Sequence, residues 1–152
     1  MQFDPINPSS LQQIGRLNDD VDQVRQYAAV LASTLGEIFK AAKSRWDITF
    51  TASDDTSFEL SGPFGLVRAK LILGMEDAGL FGRFVIQKQI HDEYDRMLWT
   101  TIWAIRVSKD GDVRAGDTGP ALYNVWQSLR DEDFVLKRQL AESIIWVAMQ
   151  AK

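Results

Sequence analysis

The chain has 152 residues, 45% hydrophobic and 25% charged, an ordinary globular composition at a length that suits one domain with a real core. Its formal net charge of −4 and pI near 5.0 argue against a general affinity for nucleic acid or an anionic membrane, partners usually met by clustered Lys and Arg. The absence of cysteine excludes disulfides, thiolate nucleophiles and cysteine metal sites together.

Met-Gln-Phe-Asp-Pro-Ile-Asn-Pro opens the chain without the basic start and apolar run of a secretory signal, and no apolar segment approaches the roughly 20 residues that span a bilayer. The expectation is a cytoplasmic protein with no membrane partner. Residues 1–8, with Pro5 and Pro8, read as an extended N-terminal arm before a single domain over 9–152.

Ser9 with Gln12 and Ser10 with Gln13 fit the capping-box pattern, so a helix is expected to start there. It begins the longest periodic run in the chain, Leu11 to Lys43. Ile14, Leu17, Val21, Val24, Ala28, Leu31, Leu35 and Ile38 are separated by alternating steps of 3 and 4, which predicts one long helix with a narrow apolar seam. At about 1.5 Å per residue the run is roughly 50 Å long, more than a domain of this size usually needs. The seam has two readings. It covers a sheet, or it pairs with a second copy of the chain through Leu17, Val21, Val24 and Leu31. Gly36 is the expected point of a bend or early end.

From Trp46 the period changes to 2. Trp46, Ile48, Phe50 and Ala52 alternate with polar residues, and Phe58 and Leu60 follow after Ser53-Asp54-Asp55. A three-residue loop pairing Phe50 with Phe58 and Ile48 with Leu60 is preferred, because it puts the apolar residues on one face. After the turn at Gly62-Pro63-Phe64-Gly65, Leu66 to Leu73 and Leu80 to Ile90 form a second hairpin. Pairing residue 73 with 80 sets Val67, Ala69, Leu71, Phe84 and Ile86 on one face and Arg68, Lys70, Ile72, Phe81 and Arg83 on the other. Met97 to Val107 is apolar on both sides, with Trp99 and Trp103 on the same one, and reads as a central strand covered twice. Lys109-Asp110-Gly111-Asp112 is a hairpin turn leading to a short edge strand, Val113 to Ala115. Asp117 to Pro120 is expected to start a helix with Leu122, Val125, Trp126 and Leu129 on its apolar face. Asp131 then caps a last helix carrying Leu136, Leu140, Ile144 and Val147. The expected fold is α+β: a long N-terminal helix, a mainly antiparallel sheet of five or six strands, and two C-terminal helices.

Catalytic signals are thin. The single histidine, His91, lies beside Asp92, Glu93 and Asp95, a composition that a solvated turn explains as well as a weak cation site does. No phosphate-binding, dinucleotide, nucleophile-elbow or metalloprotease motif occurs, so no catalytic residue, cofactor or metal is assigned. The five tryptophans are expected mostly in the core. The surface that stands out is the mixed face of the second hairpin. There Arg68, Lys70, Phe81 and Arg83 form a basic, partly apolar patch suited to an acidic protein segment.

These features together predict a non-catalytic protein-interaction module of inhibitor, immunity, chaperone or adaptor type. It would be a homodimer through the helix seam, docking a partner protein on the sheet face. The alternative is a small-molecule-binding domain with an aromatic cavity between sheet and helix, lined by Trp99 or Trp103. The third is an enzyme that uses loop carboxylates and His91.

Overall fold

A computed structural model describes Pro5, residues 7–127 and residues 133–151. The elements in chain order are helices α1 (Pro8–Gly15), α2 (Leu17–Ala41) and α3 (Lys43–Trp46); strands β1 (Thr49–Asp54), β2 (Ser57–Gly62), β3 (Gly65–Glu76), β4 (Gly79–His91), β5 (Met97–Ser108), β6 (Asp112–Ala115) and β7 (Ala121–Asn124); and helix α4 (Phe134–Gln150). The fold is α+β. The seven strands form one antiparallel meander in chain order, and the sheet curls so that α2 touches both the edge strand β1 and the central β4 and β5.

The first helix starts earlier than the serine pairs suggest. Asn7 Oδ1 accepts the Ser10 N–H at 2.8 Å, and Pro8 takes the first helical position, where a missing N–H leaves nothing unpaired. Most of the expected arm, residues 1–4 and 6, lies outside the described residues. The expected single long helix is broken at Arg16, with φ −99° and ψ 3°, beside Gly15. Among the described residues nothing lies within 4 Å of where a Gly15 Cβ would be, and the glycine itself favours a break. Gly36 is not a bend. It lies within α2, before the last turn, where an added Cβ would lie 2.8 Å from the Phe50 ring, and the glycine is what lets β1 come close.

Val24, Ala28, Leu31 and Leu35 are at most 1% exposed, and together with Phe39 they line the inner face of the sheet. Two members of the expected dimer seam, Val24 and Leu31, therefore belong to the chain's own core, whereas Leu17 is exposed and Val21 half-buried. Gly82 marks where α2 rests on β4, since a Cβ there would meet Val24 Cγ1 and Leu71 Cδ1 at 2.9 Å. Helix α4 buries Leu140, Ala141, Ile144 and Ala148 beside α2.

Lys88 closes the end of α4. Its Nζ donates to the carbonyls of Ala148 at 2.9 Å and Ala151 at 2.6 Å, placing a cation where the last helical carbonyls lack partners and the dipole is negative. Lys88→Met keeps the apolar stem and removes the charge. We expect it to lower stability in urea unfolding by about 2 kcal/mol, with amide exchange rising first in the last turn of α4. A variant with unchanged midpoint and exchange would show that water replaces the ammonium without loss.

Both hairpins keep their expected faces and change their registers. Phe50 pairs with Leu60 and Ala52 with Phe58, closed by a tight turn at Asp55-Thr56 and a bulge between Ala52 and Asp54, in place of the three-residue loop. Leu73 pairs with Gly82 rather than residue 80, so β3 and β4 extend to Glu76 and Gly79. An even shift leaves every side chain on its original face. In β5, by contrast, Ile86 pairs with Trp103 and Gln87 with Thr101, so Ile102 is skipped. The bulge turns Trp103, Ile105 and Val107 inward with Ile86 and Phe84 and sends Trp99 and Thr101 to the opposite face, so the two tryptophans do not share a side.

The sheet has one strand more than the upper expectation, because residues 121–124 form β7 and not a helix. Val113 pairs with Tyr123 and Arg114 with Ala121, so β6 is not an edge, and Tyr123 is 8% exposed. Burying that ring and satisfying the open side of β6 outweigh the helical spacing of Leu122, Val125 and Trp126. Burial pushes the Tyr123 phenol well above its ordinary range, with the Asp133 charge adding to the effect. Only one C-terminal helix, α4, is present among the described residues. Leu129 and Asp131 lie outside them. No tryptophan is fully buried, and Trp126 and Trp146 are 74% and 65% exposed. No helix among the described residues is long and apolar enough to cross a membrane.

Candidate functional site: the outer face of the sheet

The helices occupy the inner face, and the outer face of β2 to β6 carries the most distinctive side chains. Register fixes its rows. One row runs Glu59, Arg68, Gln87, Thr101 across β2 to β5. The next runs Ser57, Lys70, Val85, Ala104. The third runs Ile72, Arg83, Arg106, Arg114 across β3 to β6. Arg68, Lys70, Phe81 and Arg83 thus share one face, joined by Trp99, which was expected to line a cavity, and by Arg106 and Arg114, which no expectation named. Val85 and Ala104, in the middle row, are only 5% and 3% exposed, between rows of longer side chains.

Two guanidinium groups lie on aromatic rings. Arg68 Cζ is 4.0 Å from the Trp99 ring centroid while its Nε donates to Gln87 Oε1 at 2.8 Å. Arg106 Cζ is 3.7 Å from the Phe81 ring centroid, and its Nη2 reaches Glu76 Oε2 at 2.9 Å. Such contacts fix the plane of each guanidinium and keep its remaining donors outward.

Three arginines in register repel one another, and the face answers with Asp117. Arg83 donates from Nε to Asp117 Oδ1 at 2.7 Å and from Nη2 to Oδ2 at 2.8 Å, a fork-to-fork pair, while Arg106 Nη1 donates to the Asp117 carbonyl at 3.2 Å. The Arg83 hydrogen bonds hold the Asp117 carboxyl below the usual carboxylate range, helped by the charges of Arg83 and Arg106. A depressed carboxyl contributes above its unfolded value, near 4, and loses that contribution as pH falls through the folded one, so the pair is intact at neutral pH. Lys70, Arg68 and Arg114 make no ion pair among the described residues. A cleft of about 120 Å³ opens beside Phe81, Arg106 and Arg114, room for a side chain and well below the ~300 Å³ at which metabolite pockets start.

His91 ends β4, exposed, with Nδ1 4.0 Å from Asp95 Oδ1. Asp92 fastens the following turn by accepting the backbone N–H of Arg96 and Tyr94 and Arg96 Nε. No group of three His, Asp or Glu side chains suited to a metal ion occurs among the described residues. Trp99, one of the two tryptophans expected to line a cavity, lies on the outer face under Arg68, and Trp103 packs against the core. A cleft of about 320 Å³ between α2 and β1 is lined instead by Gly36, Lys40, Phe50 and Asp54.

Arg106 and Arg114 had a usable signal, since the turn through Gly111 places them opposite each other. Asp117 had none, because it reaches the face from an irregular link. Comparison with protein-family models, curated proteins and solved structures gives no match.

Proposed function

We propose that the protein is a non-catalytic interaction module, of inhibitor, immunity, chaperone or adaptor type, that docks an acidic segment of a partner protein on the outer face of β2 to β6, in the cytoplasm. The observation that supports this reading is an open sheet face bearing Arg68, Lys70, Arg83, Arg106 and Arg114 around Phe81, Trp99 and Ile72, on a chain whose net charge is −4. Rigid guanidinium groups held on aromatic rings are suited to carboxylates, and the apolar residues between them supply area that water leaves readily.

A fluorescein-labelled peptide of alternating glutamate and leucine tests the face by anisotropy. We expect the double variant Lys70→Glu, Arg114→Glu to bind at least about 10-fold more weakly, about 1.4 kcal/mol, with an unchanged melting curve, because both side chains are exposed and make no ion pair among the described residues. Equal binding by parent and variant, or tighter binding of labelled oligothymidine than of peptide, would overturn the acidic-partner reading.

A homodimer is the second reading, now resting on the exposed end of the seam. Leu11 and Ile14 are each 55% exposed and Leu17 is 37% exposed. Solution mass by light scattering decides it: Ile14→Asp should halve the mass and keep the melt, and a parent that is already monomeric would remove the idea.

A further inference from the structure

The arginine row already holds one carboxylate, and it comes from the protein itself. We propose that Asp117 is an internal stand-in for an acidic side chain of the partner, so that docking proceeds by exchange: the partner's carboxylate takes over Arg83 as the Asp117 link swings away. The inference rests on the reading of the outer face as a docking surface for an acidic segment, and it adds to it a resident competitor.

Asp117 lies outside regular structure, on the link from the end of β6 at Ala115 to the start of β7 at Ala121. Gly116 anchors the link by donating to the Ala104 carbonyl at 2.8 Å. Beyond it, among the described residues, the hydrogen bonds that hold 117–120 all run to Arg83 and Arg106. Gly116 and Gly119 both have positive φ, 83° and 124°, and residues 117–120 are exposed, so the link is bounded by glycines in left-handed conformations and carries no packed side chain.

The two arginines are not equivalent. Arg106 is the fixed one, with its side chain 14% exposed, its Cζ over the Phe81 ring and its guanidinium paired with Glu76. Arg83 is 32% exposed and its carboxylate partner 52%, so their pair is in contact with water and open to exchange for another carboxylate of the same fork geometry. Removing Asp117 leaves Arg83, Arg106 and Arg114 side by side in register, an arrangement that favours another anion. Charge complementarity thus names the occupant: a glutamate or aspartate of an extended acidic segment.

The test uses the full chain and the same labelled glutamate–leucine peptide. Asp117→Asn keeps the size of the side chain and frees Arg83, and should bind about fivefold more tightly than the parent, while Asp55→Asn, the same charge change at an exposed turn away from the row, should bind as the parent does. In the parent, peptide binding should raise amide exchange at Asp117, Thr118 and Gly119. If the parent binds and Asp117→Asn does not bind more tightly, or if Asp55→Asn gains as much, the stand-in falls and the docking surface stands. If neither the parent nor Asp117→Asn binds, the docking reading itself falls.

Discussion

Leu31→Asp is expected to abolish the folded state. Leu31 is 0% exposed at the middle of α2, in one cluster with Leu35, Phe84, Ile86 and Ile105. A carboxylate placed there has no cation or donor to meet, so it must either protonate at a large cost or drag water into the core. Added to the lost packing of Leu31, either takes most or all of the ~5–15 kcal/mol of net stability of a domain. Circular dichroism at neutral pH should show loss of both the helix signal and the cooperative urea transition, at every protein concentration. Ile14→Asp, on the exposed end of the same stripe, should melt as the parent does. The contrast separates cover from seam. A folded, cooperative Leu31→Asp protein would show that this side chain faces another chain and not the sheet.

That contrast also shows what periodicity can carry. A 3-4 spacing identifies a helix and its apolar stripe, but the same stripe serves a sheet or a second helix, and only the tertiary partner decides. The helix was legible through Val24 to Ile38, and the choice of partner was not. Alternation likewise identified the faces of both hairpins, because a register error of two residues returns each side chain to the side it left. This is why Arg68, Lys70, Phe81 and Arg83 could be grouped correctly from the chain alone although residue 73 was paired with the wrong partner. An error of one residue is not forgiving. The bulge at Ile102 has no marker such as glycine, and without it Trp99 was placed with Trp103 on what looked like one continuous apolar side. At residues 121–124 the local pattern and the fold disagree outright. Leu122, Val125 and Trp126 recur at helical spacing, yet an open strand edge at β6 and the burial of Tyr123 draw the segment into the sheet. Asp117 is a third kind of case: its role depends on a loop returning across the sheet, which no periodic signal records.

Phe58→Ala is the second large effect. Phe58 is 1% exposed on β2 and stands in a run of rings that ties the helices to the sheet. Trp46 meets Phe39 at 6.1 Å, Phe39 meets Phe50 at 6.3 Å, Phe50 meets Phe58 at 5.1 Å, and Phe58 meets Phe84 at 6.3 Å between centroids. The run crosses from α3 through α2 and the edge strand β1 to the central β4, so Phe58 is the ring through which β1 is joined to the middle of the core. Truncation removes the ring's transfer energy and leaves a cavity, and the expected loss is about 3–5 kcal/mol in urea unfolding, against about 1 kcal/mol for Phe58→Leu. A double-mutant cycle with Phe84→Ala should show a coupling of about 0.5–1.5 kcal/mol, the part owed to ring contact as distinct from area. The neighbouring cleft makes the result informative, because Phe50 and Phe58 both line it against α2. If β1 can settle into that space, or water can fill it, the loss will fall below about 2 kcal/mol and the coupling will vanish. The attachment of β1 to α2 would then depend on the close approach at Gly36 and not on the run of rings.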